Sequence, residues 1–413
     1  MNFPDLKCRF CNTALEHTFV DLGMSPFSNS YISPEKANAM EPFYPLHTRV
    51  CTKCWLVQLP MYETSEHIFS DYAYFSSYSD SWLAHAKVYT ETMKQRFGLS
   101  LGSAVIEIAS NDGYLLQYFK QAGIPVLGIE PAKNVAEVAI RAGVPTIVKF
   151  FGEQTARELV TNGKQADLLL GNNVLAHVPD LNDFVKGMKI LLKPTGVITM
   201  EFPHLQRLVD ECQFDTIYHE HFSYFSFVTV EQVFARHGIT LFDVDELPTH
   251  GGSLRIYGCH REDGSKPISN RIVELREREK RLGYTAIDLY NSFAEKVMAT
   301  KRDILSFMID ARRQGKRIVG YGAPAKGNTL LNYCGIRTDM MSYTVDRNPH
   351  KQGHFLPGTR LPIHAPERIR ESKPDYVVIL PWNLKDEVIS QMAHIREWGG
   401  QFVVMIPEVT IIP

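Results

Sequence analysis

The chain contains no apolar run near the ~20 residues that a membrane-spanning helix needs. It also lacks a basic start followed by a short apolar stretch, opening instead on Met1-Asn2-Phe3-Pro4, so the expectation is a cytoplasmic protein. A basic surplus is missing too: 44 Lys and Arg stand against 46 Asp and Glu, a net charge of −2, which gives no footprint for nucleic acid or an anionic membrane. Cysteine is scarce, seven in 413 residues, and Cys212, Cys259 and Cys334 stand alone. That pattern argues against a disulfide framework and for a reducing compartment. Internal repeats and low-complexity segments are absent. What remains is 44% hydrophobic, enough to bury large cores, and the length predicts about two to four domains.

The remaining four cysteines are paired. Cys8-x-x-Cys11 and Cys51-x-x-Cys54 have the spacing of a four-thiolate zinc site, because a two-residue gap lets two sulfurs on one tight turn face the same tetrahedral ion. Two such knuckles close the shell and leave no position for substrate, so the metal is structural and the chemistry lies downstream. The bland alternative is four unrelated thiols. The interval between the pairs is longer than in the usual zinc ribbon and implies an inserted hairpin or loop.

Beyond about residue 65 the segment from His67 to Asp80 mixes aromatics and hydroxyls without a period, and Trp82 to Arg96 then has helical spacing. Such a stretch lines a pocket or fills a domain junction. Short apolar strands next alternate with amphipathic helices: Ala104–Ala109, Val126–Glu130, Thr146–Val148, Ala166–Asn172 and Gly196–Phe202, followed by a mostly β region around Thr240–Cys259. This is the pattern of a doubly wound α/β domain. The heavily charged stretch 271–314 predicts a mostly solvated helix pair that links domains. A second βαβ series begins at Arg317, continues at Met341–Val345 and Tyr376–Leu380 and ends at Phe402–Ile406, predicting a smaller parallel-sheet domain.

In the first α/β domain Glu107-Ile-Ala109-Ser-Asn111-Asp112-Gly113 is a strand end, a small-residue loop and a helix start. A second strand ends at Glu130, where a carboxylate can take both hydroxyls of an adenosine ribose. A pyrophosphate site would need G-x-G-x-x-G, which this loop does not supply. Carboxylates at Glu107 and Asp112 would repel phosphate and welcome a cationic aminoacyl ligand, which points to S-adenosylmethionine over NAD. Asn172 and Asn173 end a further strand at the carboxyl edge of the sheet, where ligands of such folds sit. The richest candidate for catalysis is Tyr218-His219-Glu220-His221-Phe222-Ser-Tyr224. Strand alternation would set Tyr218 and Glu220 on one side and both histidines on the other. A metal at His219 and His221, or histidines that only satisfy a domain seam, are the competing readings. In the C-terminal domain Gly320-Tyr321-Gly322-Ala-Pro-Ala-Lys326-Gly-Asn328 is a glycine loop between strand and helix, with Asp346 ending the next strand. NAD is the obvious rival ligand there.

Taken in order, the CxxC…CxxC lobe, the Tyr-rich linker, Glu-Ile-Ala-Ser-Asn-Asp-Gly, Asn-Asn-Val-Leu-Ala-His177, Tyr-His-Glu-His, His250-Gly251-Gly-Ser and Gly-Tyr-Gly-Ala-Pro-Ala-Lys-Gly resemble the zinc-containing sugar C-methyltransferases across essentially the whole chain. These enzymes methylate C-3 of nucleotide-linked 4-keto-deoxysugars with S-adenosylmethionine. The resemblance implies a zinc lobe over 1–66, a Rossmann-like methyltransferase domain over 67–260, a helical linker over 261–314 and a Rossmann-like sugar-nucleotide domain over 315–413. It implies His221 as the base, oriented by Glu220, with Tyr218, His177 and Tyr72 as enolate-stabilising or positioning groups; Tyr74 and Tyr78 are near alternatives to Tyr72. Tyr78, His250, Gly251, Tyr321, Lys326 and Asn328 are the expected substrate contacts, Lys326 toward the diphosphate. The expected partner is an NDP-4-keto-deoxysugar carried on thymidine diphosphate, with no nucleic acid or membrane, and the chain a monomer or weak oligomer.

Overall fold

A computed structural model describes residues 6–64 and 75–413. Strands β1 (His17–Ser25), β2 (Tyr44–Val50) and β3 (Val57–Gln58) form an antiparallel sheet above the two cysteine knuckles. The fourth strand of that sheet comes from far along the chain: β9 (Ser223–Tyr224) pairs with β3, Val57 opposite Tyr224. The segment carrying His219, Glu220 and His221 therefore enters the zinc lobe's own sheet, a pairing between distant residues that local sequence does not encode.

Helix α1 (Asp80–Phe97) leads into the central domain; Ser79 caps its first turn and Gly98, at φ +62°, ends it. The central sheet runs β10–β11–β8–β7–β4–β5–β6, comprising β4 (Val105–Ile108), β5 (Val126–Ile129), β6 (Thr146–Ile147), β7 (Ala166–Asn172), β8 (Leu192–Pro203), β10 (Ile239–Leu247) and β11 (Ser253–His260). Strands β4 to β8 are parallel and β11 runs against β8. Crossovers go both ways from β4, so its carboxyl end beside β7 is the switch point at which such sheets bind ligands. Strand β4 reads Val-Ile-Glu-Ile and is buried on both faces, so its one acid is a conspicuous break in an apolar run.

Helices α2 (Asn270–Leu282) and α3 (Ile287–Arg313) follow. They are mostly solvated, as their charge predicts, and Tyr290, Phe293, Val297, Ile304, Met308 and Ala311 form one buried stripe on α3. Phe293 stacks on Phe19 of β1 at 4.5 Å and Tyr290 on Trp55 at 5.9 Å, so this helix is the spine between the zinc lobe and the C-terminal domain. The last sheet comprises β12 (Ile318–Tyr321), β13 (Thr344–Val345), β14 (Ile363–His364), β15 (Tyr376–Ile379), β16 (Gln401–Val404) and β17 (Thr410–Ile412) in the order β14–β13–β12–β15–β16–β17, parallel but for the final strand, with helix α4 (Ala325–Cys334) after the glycine loop. No helix among the described residues is long and apolar enough to cross a membrane.

Candidate active site at the seam of three lobes

The zinc knuckles match each other residue for residue. Asn12 donates its backbone N–H to the Cys8 carbonyl and Trp55 to that of Cys51 (2.9 and 2.8 Å), and both residues after the knuckle are left-handed, φ +62° and +63°. The four sulfurs converge within 4.8 Å of one another, with Cys8–Cys54 at 3.5 Å and Cys11–Cys51 at 3.4 Å. The tetrahedral edge for a Zn–S bond of about 2.3 Å is ~3.8 Å, so the donor set fits one zinc ion. Gln58 donates to the Cys8 sulfur (3.2 Å) as an outer-shell partner. Among the described residues this is the one cluster of metal-ligating side chains, and the His219–His221 metal reading has no third ligand.

At the carboxyl end of β4 the loop is wound tightly: Ala109, Asn111 and Gly113 all have positive φ, +54°, +49° and +80°. Two of these carry side chains, and strain of that kind, about 1–3 kcal/mol each, collects at ligand-binding loops. Gly128 of β5 lets the loop pass, since a Cβ there would lie 2.3 Å from Ser110 Oγ. Glu130 accepts backbone N–H groups from Asn111 (2.9 Å) and Ala132 (2.8 Å), which leaves one lone pair per oxygen for a ribose. Ser110 Oγ, Asp112 Oδ1 and both amide atoms of Asn172 are buried without a hydrogen-bond partner, and the fully buried carboxyl of Glu107 has no partner but the Tyr114 side chain. Each such atom costs about 1–3 kcal/mol until something satisfies it. Burial and the neighbouring Asp112 and Glu130 carboxylates hold Glu107 well above its ordinary range, and burial pushes Glu130 up to about 7. An acid cluster short of positive charge and lined with unmet acceptors fits a cationic nucleoside such as S-adenosylmethionine. The turn Ser76–Tyr78 closes over it: Ser76 N–H donates to Asn111 Oδ1 (2.9 Å), and Ser77 gives both its N–H and its hydroxyl to Asp112 Oδ2 (3.0 and 2.6 Å). Tyr78 is largely exposed at the rim, while Tyr72 and its alternative Tyr74 lie outside the described residues.

The Tyr-His-Glu-His segment runs beside this edge. Phe222 N–H donates to the Ala176 carbonyl (2.7 Å) and His177 Nδ1 to the Glu220 carbonyl (2.8 Å), zipping the β7 exit to the segment. His221 then lies 3.9 Å from Tyr218 and 4.7 Å from His177, ring centre to ring centre. Strand alternation is not followed, because a turn after Tyr218, closed by His221 N–H on its carbonyl (2.9 Å), returns His221 to the Tyr218 side. His219 goes the other way, into a cage of Phe27, Tyr44 and Tyr62 in the zinc lobe at 5.1 to 6.0 Å.

Glu220 does not orient His221. Its carboxylate accepts both 2.9 Å contacts from Asn29 Nδ2 of the zinc lobe, and the Thr216 carbonyl takes the His221 Nδ1 proton (2.9 Å). A carbonyl only accepts, so that bond fixes the tautomer and leaves the lone pair on Nε2. Burial, with His177 nearby, holds His221 well below its usual range, a neutral base at neutral pH. Burial raises Glu220 to about 7.

The C-terminal domain closes the third side. Lys326, in the first turn of α4, donates to Asn383 Oδ1 (2.8 Å) and sits 4.3 Å from the Trp382 ring, whose Nε1 donates to the buried Asp215 (2.7 Å) just ahead of Thr216. Burial lowers Lys326 to about 8. Tyr321 is buried and bonded to Gln391 (3.1 Å), and Asn328 is fully buried with both amide atoms unpaired. Gly251 presses against Trp382, where a Cβ would come within 2.3 Å, and His250 meets Asn173 (2.9 Å). Thr216, Asn29 and Asp215 were not marked by the sequence reading. Asp215, three residues before Tyr218, gave the one legible hint.

Comparison with known proteins finds three family models in succession along the chain. The chain matches a zinc binding domain family over residues 8–69, a methyltransferase domain family over 83–244 and a C-methyltransferase C-terminal domain family over 248–407. It is 34% identical to the C-methyltransferase NovU of Streptomyces niveus over 99% of this chain and 97% of that one. The chain belongs to the C-methyltransferase family. It is a C-methyltransferase that uses S-adenosylmethionine, and Cys8, Cys11, Cys51 and Cys54 are its zinc site. A ubiquinone biosynthesis O-methyltransferase of Bartonella tribocorum is 28% identical over 23% of this chain and 38% of its own length. Among solved structures, the PH0226 protein of Pyrococcus horikoshii aligns over 48% of this chain and 99% of that one, with 16% identity and a TM-score of 0.38.

Proposed function

We propose that this C-methyltransferase methylates C-3 of a 4-keto-deoxysugar carried on thymidine diphosphate, through an enolate formed by His221. One observation carries the reading. His221, with its lone pair on Nε2, lies against Tyr218 and His177 at the edge of the S-adenosylmethionine site, with Lys326 brought in by the neighbouring domain. A ketone at C-4 acidifies the adjacent C–H. His221 Nε2 takes that proton, and the electrons pass toward the C-4 oxygen, where Tyr218 stands as donor to the developing charge, while His177, its one proton committed to the Glu220 carbonyl, positions the segment. The bound S-adenosylmethionine supplies an electrophilic methyl group for the enolate carbon. Closure of Ser76 and Ser77 over the cofactor loop excludes water, and Lys326 faces the diphosphate.

Incubation with S-adenosylmethionine and thymidine diphosphate-4-keto-6-deoxyglucose, followed by NMR of the product, tests this. A new methyl on C-3 is expected. A methyl on C-5 would keep the enolate and move the site, and methylation on oxygen would overturn the reading. His221→Ala is expected to lower the rate at least 10³-fold with S-adenosylhomocysteine affinity unchanged. Full activity in that variant would remove the base assignment.

A further inference from the structure

The turn Thr249–Gly251 is held more firmly than a surface turn requires. His250 is left-handed (φ +53°), and so is the residue it meets, Asn173 (φ +55°), the two joined by a 2.9 Å hydrogen bond. One buried residue, Glu201, serves both, by its backbone on one side and its side chain on the other. The Glu201 carbonyl accepts the Asn173 N–H (2.7 Å), its Oε1 accepts the Thr249 hydroxyl (2.8 Å), and its Oε2 takes Arg255 (2.7 Å) and His85 (3.0 Å). His85 stacks on Trp82 at 4.9 Å, and the Trp82 ring in turn faces His250 edge-on at 5.1 Å. Gly251, next in the chain, is backed by Trp382 of the C-terminal domain. Two strained residues bonded to each other and braced through one buried glutamate, Asn173 by its backbone carbonyl and the turn of His250 by its carboxylate on Thr249, beside the cofactor edge, describe a pre-organised catalytic group and not a flexible turn.

Asn173 Nδ2 donates to His250 Nε2, which places the ring proton on Nδ1. Burial first, then the charge of Lys326, lowers His250 to about 4, so the ring is neutral near pH 7. A neutral imidazole is a hydrogen-bond donor well matched to an enolate, since it stabilises the oxygen without surrendering a whole proton. We propose that His250 is a further catalytic residue, donating from Nδ1 to the C-4 oxygen as the enolate forms, and that Glu201 is its positioning residue. This rests on the 4-keto-sugar reading above.

The test separates enolisation from methyl transfer. Enzyme saturated with S-adenosylhomocysteine is mixed with thymidine diphosphate-4-keto-6-deoxyglucose in heavy water, and deuterium uptake next to the ketone is followed by NMR; methyl transfer is measured separately with S-adenosylmethionine. His250→Ala is expected to slow both uptake and transfer about 10²–10³-fold, with S-adenosylhomocysteine affinity and sugar KM within about threefold. Glu201→Gln strands the buried Arg255 and risks the fold. Thr249→Val removes only the bond to Oε1 and is expected to lower kcat about fivefold at unchanged KM. Wild-type uptake in His250→Ala would overturn the proposal, as would a loss confined to affinity or melting temperature. Absence of uptake and transfer in the wild-type enzyme would instead remove the 4-keto reading, and the proposal with it.

Discussion

Two loops of this molecule have the same design and opposite fates. Each leaves the central region of a parallel sheet, passes through left-handed backbone and enters a helix, and each faces an acid at the end of the neighbouring strand, Glu130 in one domain and Asp346 in the other. Around the β4 loop, Ser110, Asp112 and Asn172 keep buried polar atoms with no partner. Around the β12 loop the backbone's demands are met from within the chain, and the unpaired side chain is the amide of Asn328 in the helix that follows. Asp346 accepts the N–H groups of Ala323 (2.7 Å) and Asn348 (2.8 Å), the Ala323 carbonyl takes Tyr31 (2.6 Å) and Lys351 (3.0 Å), and Gly322 packs on Pro381. A loop that has spent its hydrogen bonds on its own fold is a wall, and one that withholds them is a receptor. Glycine motifs alone do not separate the two cases; the accounting of donors and acceptors does.

The sharpest way to break this comparison is to remove a receptor acid. Asp112→Ala is expected to weaken S-adenosylhomocysteine by more than about 100-fold in calorimetry, since it deletes both a ligand-facing acceptor and the anchor for Ser77. Asp346→Ala, its counterpart, is expected to cost about 1–3 kcal/mol of stability through two stranded N–H groups while leaving that affinity unchanged. An equal loss of affinity in both variants would erase the distinction. NAD is expected to give no binding heat at all, and a micromolar isotherm would make the second loop a receptor too. Ser77→Ala should raise the S-adenosylmethionine KM by about tenfold, the lower end of the worth of one hydrogen bond to a charged group.

A smaller effect separates the two histidines of the Tyr-His-Glu-His segment. Burial lowers His219 to about 4 against 6.5 for the unfolded chain. Its folded pKa is depressed, so the unfolded state binds more protons and stability falls as pH drops from about 6.5 to 4. His219→Phe removes that penalty and fills an aromatic cage. It is expected to gain about 2 kcal/mol at pH 5 relative to wild type and almost nothing at pH 8, read from denaturant melts at the two pH values.

The strand–helix alternation of both α/β domains could be read because period and composition are local properties, and the four-cysteine site because its spacing is itself the geometry. Glu107 was legible as an acid in an otherwise apolar strand. The mostly solvated helix pair is there as charge predicts, but charge counts do not reveal its buried stripe: Tyr290, Phe293 and Val297 share one face of α3 among Asp, Glu and Lys on the others. The role given to Glu220 failed for a tertiary reason. Alternation assumes an extended strand, whereas the chain turns after Tyr218, and Asn29, which takes the carboxylate, lies in another lobe nearly two hundred positions earlier. Glu201 went unmarked although it also interrupts a buried run, Met200-Glu201-Phe202. The same signal that revealed Glu107 was present there.

The pairing of β3 with β9 bears on how this protein is made. The zinc lobe leaves the ribosome well before residue 224, yet Val57 must wait for Tyr224 before its sheet is complete. During synthesis the lobe holds its metal knuckles with one strand edge open, and the residues that finally close that edge follow directly on His221. Order at the proposed catalytic base and completion of the lobe are thus one event in the life of the chain. A fragment cut at the end of the zinc lobe would carry a bare edge, with the liability for sticking to other chains that unpaired strands bring.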